Sequence, residues 1–146
     1  MTYFEIKAII EDGEGPVGGH VVYLFSKERK ILLPIKVNEN SAREILAARE
    51  PYHEPRPHIH DTTKRLINAL DGKVEKVIIS GYDNEIFYSY IRVRHGEKEF
   101  DIDAKPSDAI AIALRTKSPI YVEPGVVSQI GINITPELLS EAVSPL

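Results

Sequence analysis

Two short segments of the chain hold the side chains best suited to chemistry. The first, PRPHIHD at residues 55–61, places two histidines and an aspartate on a stretch braced by prolines. The second, DIDAKPSDA at residues 101–109, contains three aspartates. Imidazole exchanges protons near neutral pH, and carboxylate clusters bind hard divalent cations. Acid–base catalysis and metal binding are therefore the two kinds of chemistry to consider.

In the aspartate segment, Asp101 and Asp103 are expected to share one face, because alternate side chains of a strand point the same way. At ~3.4 Å per residue the two lie roughly 7 Å apart, and Asp108 follows shortly after the strand. Oxygen ligands of this kind suit Mg²⁺ or Mn²⁺, so Asp101, Asp103 and Asp108 are the predicted metal ligands. The alternative is a solvated strand face, with Asp108 only favouring a helix start. The apolar residues of this strand are expected to face the core: Phe100, Ile102 and Ala104.

In the histidine segment, His60 is the candidate general acid or base, or a further metal ligand. Asp61 is expected to cap the helix that follows or to orient His60. Arg56 is held between two prolines, and its guanidinium suits a phosphate or carboxylate. His58 is expected to be a surface histidine, and His53 a bystander.

The pattern along the whole chain predicts an α+β fold: a mostly antiparallel (mixed) sheet with three to four helices packed on it. With no repeat or linker, residues 1–146 are expected to form one domain. Alternating apolar residues predict strands at 4–10, 20–26, 31–37, 73–82, 85–95, 98–104 and 119–122. The predicted helix starts are Ser41 in a capping box with Glu44, the N-cap Asp61, the N-cap Ser107 after Pro106, and Thr135–Pro136–Glu137.

Composition excludes several kinds of site. Cysteine is absent, so disulfides, thiolate nucleophiles and cysteine-ligated metals are ruled out. The 18 Lys and Arg against 22 Asp and Glu give a net charge of −4, which argues against coating nucleic acid but leaves room for a local grip on phosphate. Phosphate-cradling glycine loops and the hydrolase elbow are missing. No apolar run suits a membrane span or a signal peptide, so a cytoplasmic protein that does not contact membrane is expected.

Four stretches resemble the bifunctional nuclease domain family: LLPIKV (32–37), PRPHIHD (55–61), VEKVIIS (74–80) and DIDAKPSDAIAIALRTKSPIYV (101–122). The resemblance implies a small α+β domain with nuclease activity toward RNA and DNA. The residues that match the family pattern are Arg56, His60, Asp61, Asp101, Asp103, Ser107 and Asp108. The chain departs from the pattern at Ile59, where the family usually has a hydroxyl residue, at Lys105, where it has arginine, and at Ser41, where it often has an acid.

The sequence supports two hypotheses about function. In the first, a metal-assisted nuclease cleaves nucleic acid: a cation polarises the phosphate and activates water, His60 transfers a proton, and Arg56 offsets phosphate charge. This hypothesis requires the two segments to meet in space. In the second, the chain is a non-catalytic homo-oligomeric scaffold or a regulatory ligand-binding module, which the acidic charge favours. An exposed meander edge predicts a homo-oligomer under either hypothesis, with a dimer favoured.

Overall fold

A computed structural model describes residues 1–12, 19–49 and 55–134 of the chain. The strands are β1 (Thr2–Asp12), β2 (Gly19–Ser26), β3 (Ile31–Val37), β4 (Lys73–Asp83), β5 (Ile86–His95), β6 (Lys98–Ala104), β7 (Ile120–Val122) and β8 (Ile132–Asn133). The helices are α1 (Glu39–Arg49), α2 (Ile59–Ala69), α3 (Pro106–Thr116) and α4 (Pro124–Ile130). The predicted helix start at residues 135–137 and the bystander His53 lie outside the described residues.

All eight strands form one sheet in the order β6-β5-β4-β7-β1-β2-β3-β8. The predicted hairpin is β2–β3, and the predicted meander is β4–β5–β6. Neighbouring strands are antiparallel except for β4 and β7, which run parallel. The sheet and its helices confirm the α+β class with a mostly antiparallel, mixed sheet.

Helix α3 lies at the centre of the fold. Five consecutive residues, 109–113, are buried, and a helix that is apolar on all sides must be covered on all sides. It packs against β4 and β5 as well as against α1 and α2. The alanines at 109, 111 and 113 leave room for these elements to approach closely. As a result, the ends of α1 and α2 are held beside α3, which fixes the side chains of the candidate site.

The prediction that Phe100 and Ile102 face the core is wrong. Both side chains are about half exposed. The reason is the position of their strand: among the described residues, β6 is the outermost strand of the sheet and has a neighbour on one side only. Alternation along a strand shows which residues share a face, but it cannot show whether that face is covered.

The helices begin earlier than their predicted caps. The Oδ1 atom of Asn38 accepts a hydrogen bond of 2.7 Å from the backbone N–H of Ser41, so the predicted capping box at Ser41 and Glu44 is wrong. Helix α2 has His58 as its N-cap, which places Asp61 in the first turn instead of at the cap. Helix α3 has Lys105 as its N-cap and Pro106 at its first position, so Ser107 is not the cap. None of the four helices among the described residues is long and apolar enough to cross a membrane.

Candidate functional site

Three helices bring their polar residues together at one junction. Helix α1 contributes Glu44, and α3 contributes Asp108 and Arg115. The start of α2 contributes two further members, His60 and Asp61, together with its N-cap, His58. We call these six side chains the helix-junction network. The network joins residues that are 14 to 71 positions apart in the chain.

His60 lies at the centre of the helix-junction network, with one carboxylate on each side of its ring. Its Nε2 atom is 2.9 Å from Oδ1 of Asp108, and its Nδ1 atom is 3.2 Å from Oε2 of Glu44. The predicted meeting of the histidine and aspartate segments therefore takes place, through this one pair. The His60 side chain is 9% exposed, whereas that of Asp108 is 42% exposed. Solvent and substrate can reach the aspartate, and the imidazole lies behind it.

The two contacts of His60 define its chemistry. An ionised carboxylate can only accept hydrogen bonds, and a ring nitrogen donates only when it carries a proton. Both contacts are hydrogen bonds at once when His60 carries both ring protons, as an imidazolium between Glu44 and Asp108. In this state the histidine holds a positive charge against the inner oxygen of Asp108. That charge fixes the orientation of the aspartate.

Glu44 connects both histidines of the segment. The Nδ1 atom of His58 lies 2.8 Å from Oε1 and 2.9 Å from Oε2 of Glu44. His58 was expected to be a surface histidine, but its side chain is only 26% exposed and takes part in the network. One carboxylate from α1 therefore fixes the orientation of two imidazoles at the start of α2.

Arg115 is the buried cation that binds Asp61 and Glu44 within the network. Its side chain is 6% exposed, and its Nε atom donates to Oδ1 of Asp61 over 2.7 Å. The same guanidinium donates to the backbone oxygens of Glu44 and Ala111, each over 3.1 Å, and contacts Oε2 of Glu44 at 3.4 Å. A guanidinium with several donors in a fixed fork suits this arrangement.

Asp61 links the start of α2 to α3. Its Oδ2 atom accepts a hydrogen bond of 2.9 Å from the backbone N–H of His58, while Oδ1 binds Arg115. Burial by itself raises the pKa of Asp61, but the His58 N–H and the Arg115 guanidinium outweigh it, so the pKa is lowered. Asp61 thus holds the first turn of α2 in place and does not contact His60 through any described hydrogen bond.

The two strand aspartates lie apart from the helix-junction network. Asp101 forms a two-pronged pair with Arg92 across the β5–β6 ladder, at 2.9 and 3.2 Å. The hydrogen bond from Arg92 holds the pKa of Asp101 below its usual range. Asp103 lies opposite Tyr90 on the same edge and is exposed.

A cation at the predicted ligands does not fit the side chains as they lie. Arg92 already holds both oxygens of Asp101. Within residues 1–12, 19–49 and 55–134, no group of three or more histidine, aspartate and glutamate side chains is arranged to hold a metal ion. Metal binding by Asp101, Asp103 and Asp108 stays a prediction.

Arg56 is exposed at a bend four residues before His60. In the part of the chain that the structure describes, its guanidinium has no ion pair or side-chain hydrogen bond. It is therefore available to a ligand, as the sequence predicts, although the structure places it outside the hydrogen bonds of the network.

Glu44 and Arg115 are the network members that sequence reasoning missed. Glu44 was assigned to a helix cap, yet it directly precedes the buried Ile45, which is an unusual place for an acid facing only solvent. Arg115 follows the buried run 109–113 of α3, with the partly buried Leu114 between them. A charged residue beside an apolar stripe was the available signal, but its partner lies on another helix and cannot be read from local spacing.

Comparison with known proteins places this junction in a family. The bifunctional nuclease domain model matches residues 22–135, which include every member of the helix-junction network. An uncharacterized protein of Mycobacterium tuberculosis is 31% identical over 140 residues, covering 96% of this chain and 84% of that protein.

The match to plant relatives covers a smaller share of those proteins than the match to the mycobacterial protein. Bifunctional nuclease 1 of Oryza sativa subsp. japonica is 32% identical over 115 residues, covering 77% of this chain and 35% of that protein. Bifunctional nuclease 1 of Arabidopsis thaliana is 28% identical over 119 residues, covering 73% of this chain and 37% of that protein. The family model, which matches well over half of the chain, shows that this chain belongs to the bifunctional nuclease domain family.

Proposed function

We propose that this chain is a nuclease that hydrolyses phosphodiester bonds of RNA, DNA or both, with Asp108 as its catalytic base. The observation that carries the proposal is the 2.9 Å contact between Nε2 of His60 and Oδ1 of Asp108. Membership of the bifunctional nuclease domain family supports the substrate class.

The difference in exposure between Asp108 and His60 assigns the catalytic role to Asp108 and the positioning role to His60. Asp108 is the more accessible partner, and its second oxygen, Oδ2, has no hydrogen bond among the described residues. Oδ2 is therefore the atom that can take a proton from an attacking water. The water oxygen then bonds to phosphorus, and the leaving oxygen departs with the electron pair of the broken ester bond. His60 is a positioning residue, since it acts on the reaction only through Asp108.

Arg56 and a divalent cation complete the proposal. Arg56 is proposed to offset charge on the phosphate, and its exposed guanidinium, four residues before His60, supports this role. Mg²⁺ or Mn²⁺ is the proposed cofactor, with no step assigned to it, and its binding by Asp101 requires the pair with Arg92 to open. Equilibrium dialysis with Mn²⁺ tests this part, and binding that is unchanged in Asp103→Asn would remove Asp103 from the ligand set.

The test of the nuclease is cleavage of single-stranded RNA and DNA by the purified chain with Mg²⁺ or Mn²⁺. Asp108→Asn should lower the rate by ~10²–10⁴-fold, the usual contribution of a general acid or base. Asp71→Asn is the matched control, since Asp71 is exposed and outside the helix-junction network. Cleavage by Asp108→Asn at the wild-type rate would show that a contaminant or another residue is responsible.

The second candidate is the non-catalytic scaffold or regulatory module. One observation favours it: the network satisfies His60 on both ring nitrogens and ties three helices together, as a structural centre would. If the chain is such a module, the wild type should cleave neither RNA nor DNA with Mg²⁺ or Mn²⁺. His60→Gln should then lower the melting temperature. Cleavage by the wild type that Asp108→Asn abolishes would exclude it.

A further inference from the structure

A polar cavity lies at the N-terminal ends of α1 and α3. Its volume is about 210 Å³, and the polar residues that line it are Lys36, Asn38, Ser41, Glu85, Lys105 and Ser107. The residue after Ser107 is Asp108, the proposed catalytic base. The cavity therefore opens beside the helix-junction network without sharing its hydrogen bonds.

Ser107 is the unexplained residue of this cavity. Its side chain is among the buried polar groups, at 8% exposure, and it lines the cavity wall. Its hydroxyl has no hydrogen-bond partner among residues 1–12, 19–49 and 55–134. The hydroxyl oxygen is not among the fully enclosed side-chain atoms that lack a partner, so it is open at the cavity and can hydrogen-bond a bound ligand.

The charge around Ser107 is suited to an anion. Lys36 and Lys105 are exposed at the cavity, and neither has an ion pair within the described ranges. Glu85 is the acid that lines it, so the charged lining residues sum to one positive charge in a chain whose net charge is −4. Glu39, in the first turn of α1, is paired with Arg43 instead of with either lysine.

The backbone of α3 adds further donors at the same place. Lys105 is the N-cap, so the N–H groups of Ser107 and Asp108 fall in the first turn, where no carbonyl of the helix can accept from them. The first intrahelical bond is donated by Ala109 to the carbonyl of Lys105. Free N–H groups at a helix start, together with the helix dipole, favour an oxyanion.

We propose that this cavity is a phosphate-binding subsite, in which Ser107, Lys36 and Lys105 hold a phosphate group of the nucleic acid next to the one that is cleaved. This inference rests on the proposed function, because Asp108 is the neighbour that makes the cavity part of a nuclease site. A free inorganic phosphate offers the same chemistry, so the experiment separates the two sources.

The first arm measures inorganic phosphate binding by calorimetry. Lys36→Ala/Lys105→Ala should raise the Kd at least tenfold, whereas the control Lys73→Ala/Lys98→Ala, which removes two exposed lysines away from the cavity, should leave it unchanged. Ser107→Ala should raise the Kd while the melting temperature stays equal or rises, because the variant removes a hydroxyl with no described partner. Equal phosphate affinity in all variants would overturn the subsite.

The second arm measures binding of a single-stranded oligonucleotide in the Asp108→Asn background, where it is not cleaved. Loss of this one phosphate contact should reduce the magnitude of the slope of log K against log salt by about 0.7, the value per neutralised phosphate for single strands. An unchanged slope, with phosphate affinity still lysine-dependent, would show that free phosphate is the ligand and overturn the nucleic-acid assignment.

The two proposals fail in different ways. One outcome is that the wild type cleaves no nucleic acid, while the binding of phosphate and of the oligonucleotide still depends on the two lysines. In that case the nuclease proposal fails and the subsite stands. If the wild type cleaves and Lys36→Ala/Lys105→Ala has the wild-type KM, the subsite fails and the nuclease proposal stands.

Discussion

Nε2 of His60 lies 2.9 Å from Oδ1 of Asp108, although the two residues are 48 positions apart in the chain. The contact joins the proline-braced start of α2 to the first turn of α3, and Glu44 of α1 holds the other side of the ring. A buried imidazole with a more exposed aspartate in front of it is an arrangement in which the aspartate can meet the substrate and the histidine fixes its orientation.

Replacing Arg115 by lysine tests how much the network depends on a forked cation. The ammonium group of lysine cannot reach Asp61, Ala111 and the backbone of Glu44 together, so Arg115→Lys should destabilise the fold by about 1–3 kcal/mol. Arg43→Lys is the matched control, since the exposed pair with Glu39 should contribute below about 0.5 kcal/mol. Urea denaturation of both variants measures the difference, and equal midpoints would show that Arg115 is not a structural centre.

The lowered pKa of Asp61 predicts a pH-dependent contribution to stability. A carboxyl whose pKa is lower in the folded state stabilises the fold above its unfolded pKa, near 4, and this contribution disappears as the pH falls through the folded pKa. Asp61→Asn keeps an acceptor for the His58 N–H but loses the charge facing Arg115. It should cost roughly 1 kcal/mol at pH 7, after allowance for the partial exposure of this carboxyl, and the difference from wild type should shrink below about pH 4 and vanish only below the lowered pKa of the folded state. Denaturation of both proteins at pH 7, 5 and 3 measures the difference in free energy of unfolding. A difference that grows toward low pH would contradict the lowered pKa of Asp61.

Glu85 adopts a backbone conformation that favours glycine. Asn84 and Glu85 have φ angles of +48° and +65° in the turn between β4 and β5, where Asn-Gly is the preferred pair. Glu85→Gly should therefore stabilise the protein by about 0.5–1 kcal/mol, in spite of the added freedom of glycine in the unfolded chain. Glu97→Gly, in the turn between β5 and β6 and without a positive φ, should give no such gain. Thermal unfolding compares the two, and a lower melting temperature for Glu85→Gly would contradict the expected relief of strain.

The exposed edge of β6 is the place where the predicted dimer would form. This strand carries half-exposed Phe100 and Ile102, and no other strand in the described part of the chain pairs with its outer edge. Light scattering should find a dimer for the wild type and for Leu70→Lys, which changes an exposed apolar residue at the end of α2. Ile102→Lys should be monomeric, because a charge on the contact face opposes pairing. A monomeric wild type, or a dimer that persists in Ile102→Lys, would place self-association elsewhere or exclude it.

Local pattern was sufficient for the hairpin and the meander of the sheet, but not for the order of its strands or for the helix-junction network. Alternation and turn residues predicted the β2–β3 hairpin and the β4–β5–β6 meander, because each strand pair is close in sequence. The contact between His60 and Asp108 was expected only as a requirement of the nuclease hypothesis. Its supports, Glu44 and Arg115, depend on how α1 and α3 pack, which is a long-range property. The exposure of Phe100 depends in the same way on the position of β6 at the end of the sheet.

The most direct test of the central claim is a double-mutant cycle on kcat for cleavage of a single-stranded substrate. Asp108→Asn, His60→Gln and the double variant are compared with wild type, with folding checked by circular dichroism. If His60 acts only through Asp108, the double variant should cleave no more slowly than Asp108→Asn alone. Losses that multiply in the double variant, or an Asp108→Asn variant as active as the wild type, would contradict the assigned roles.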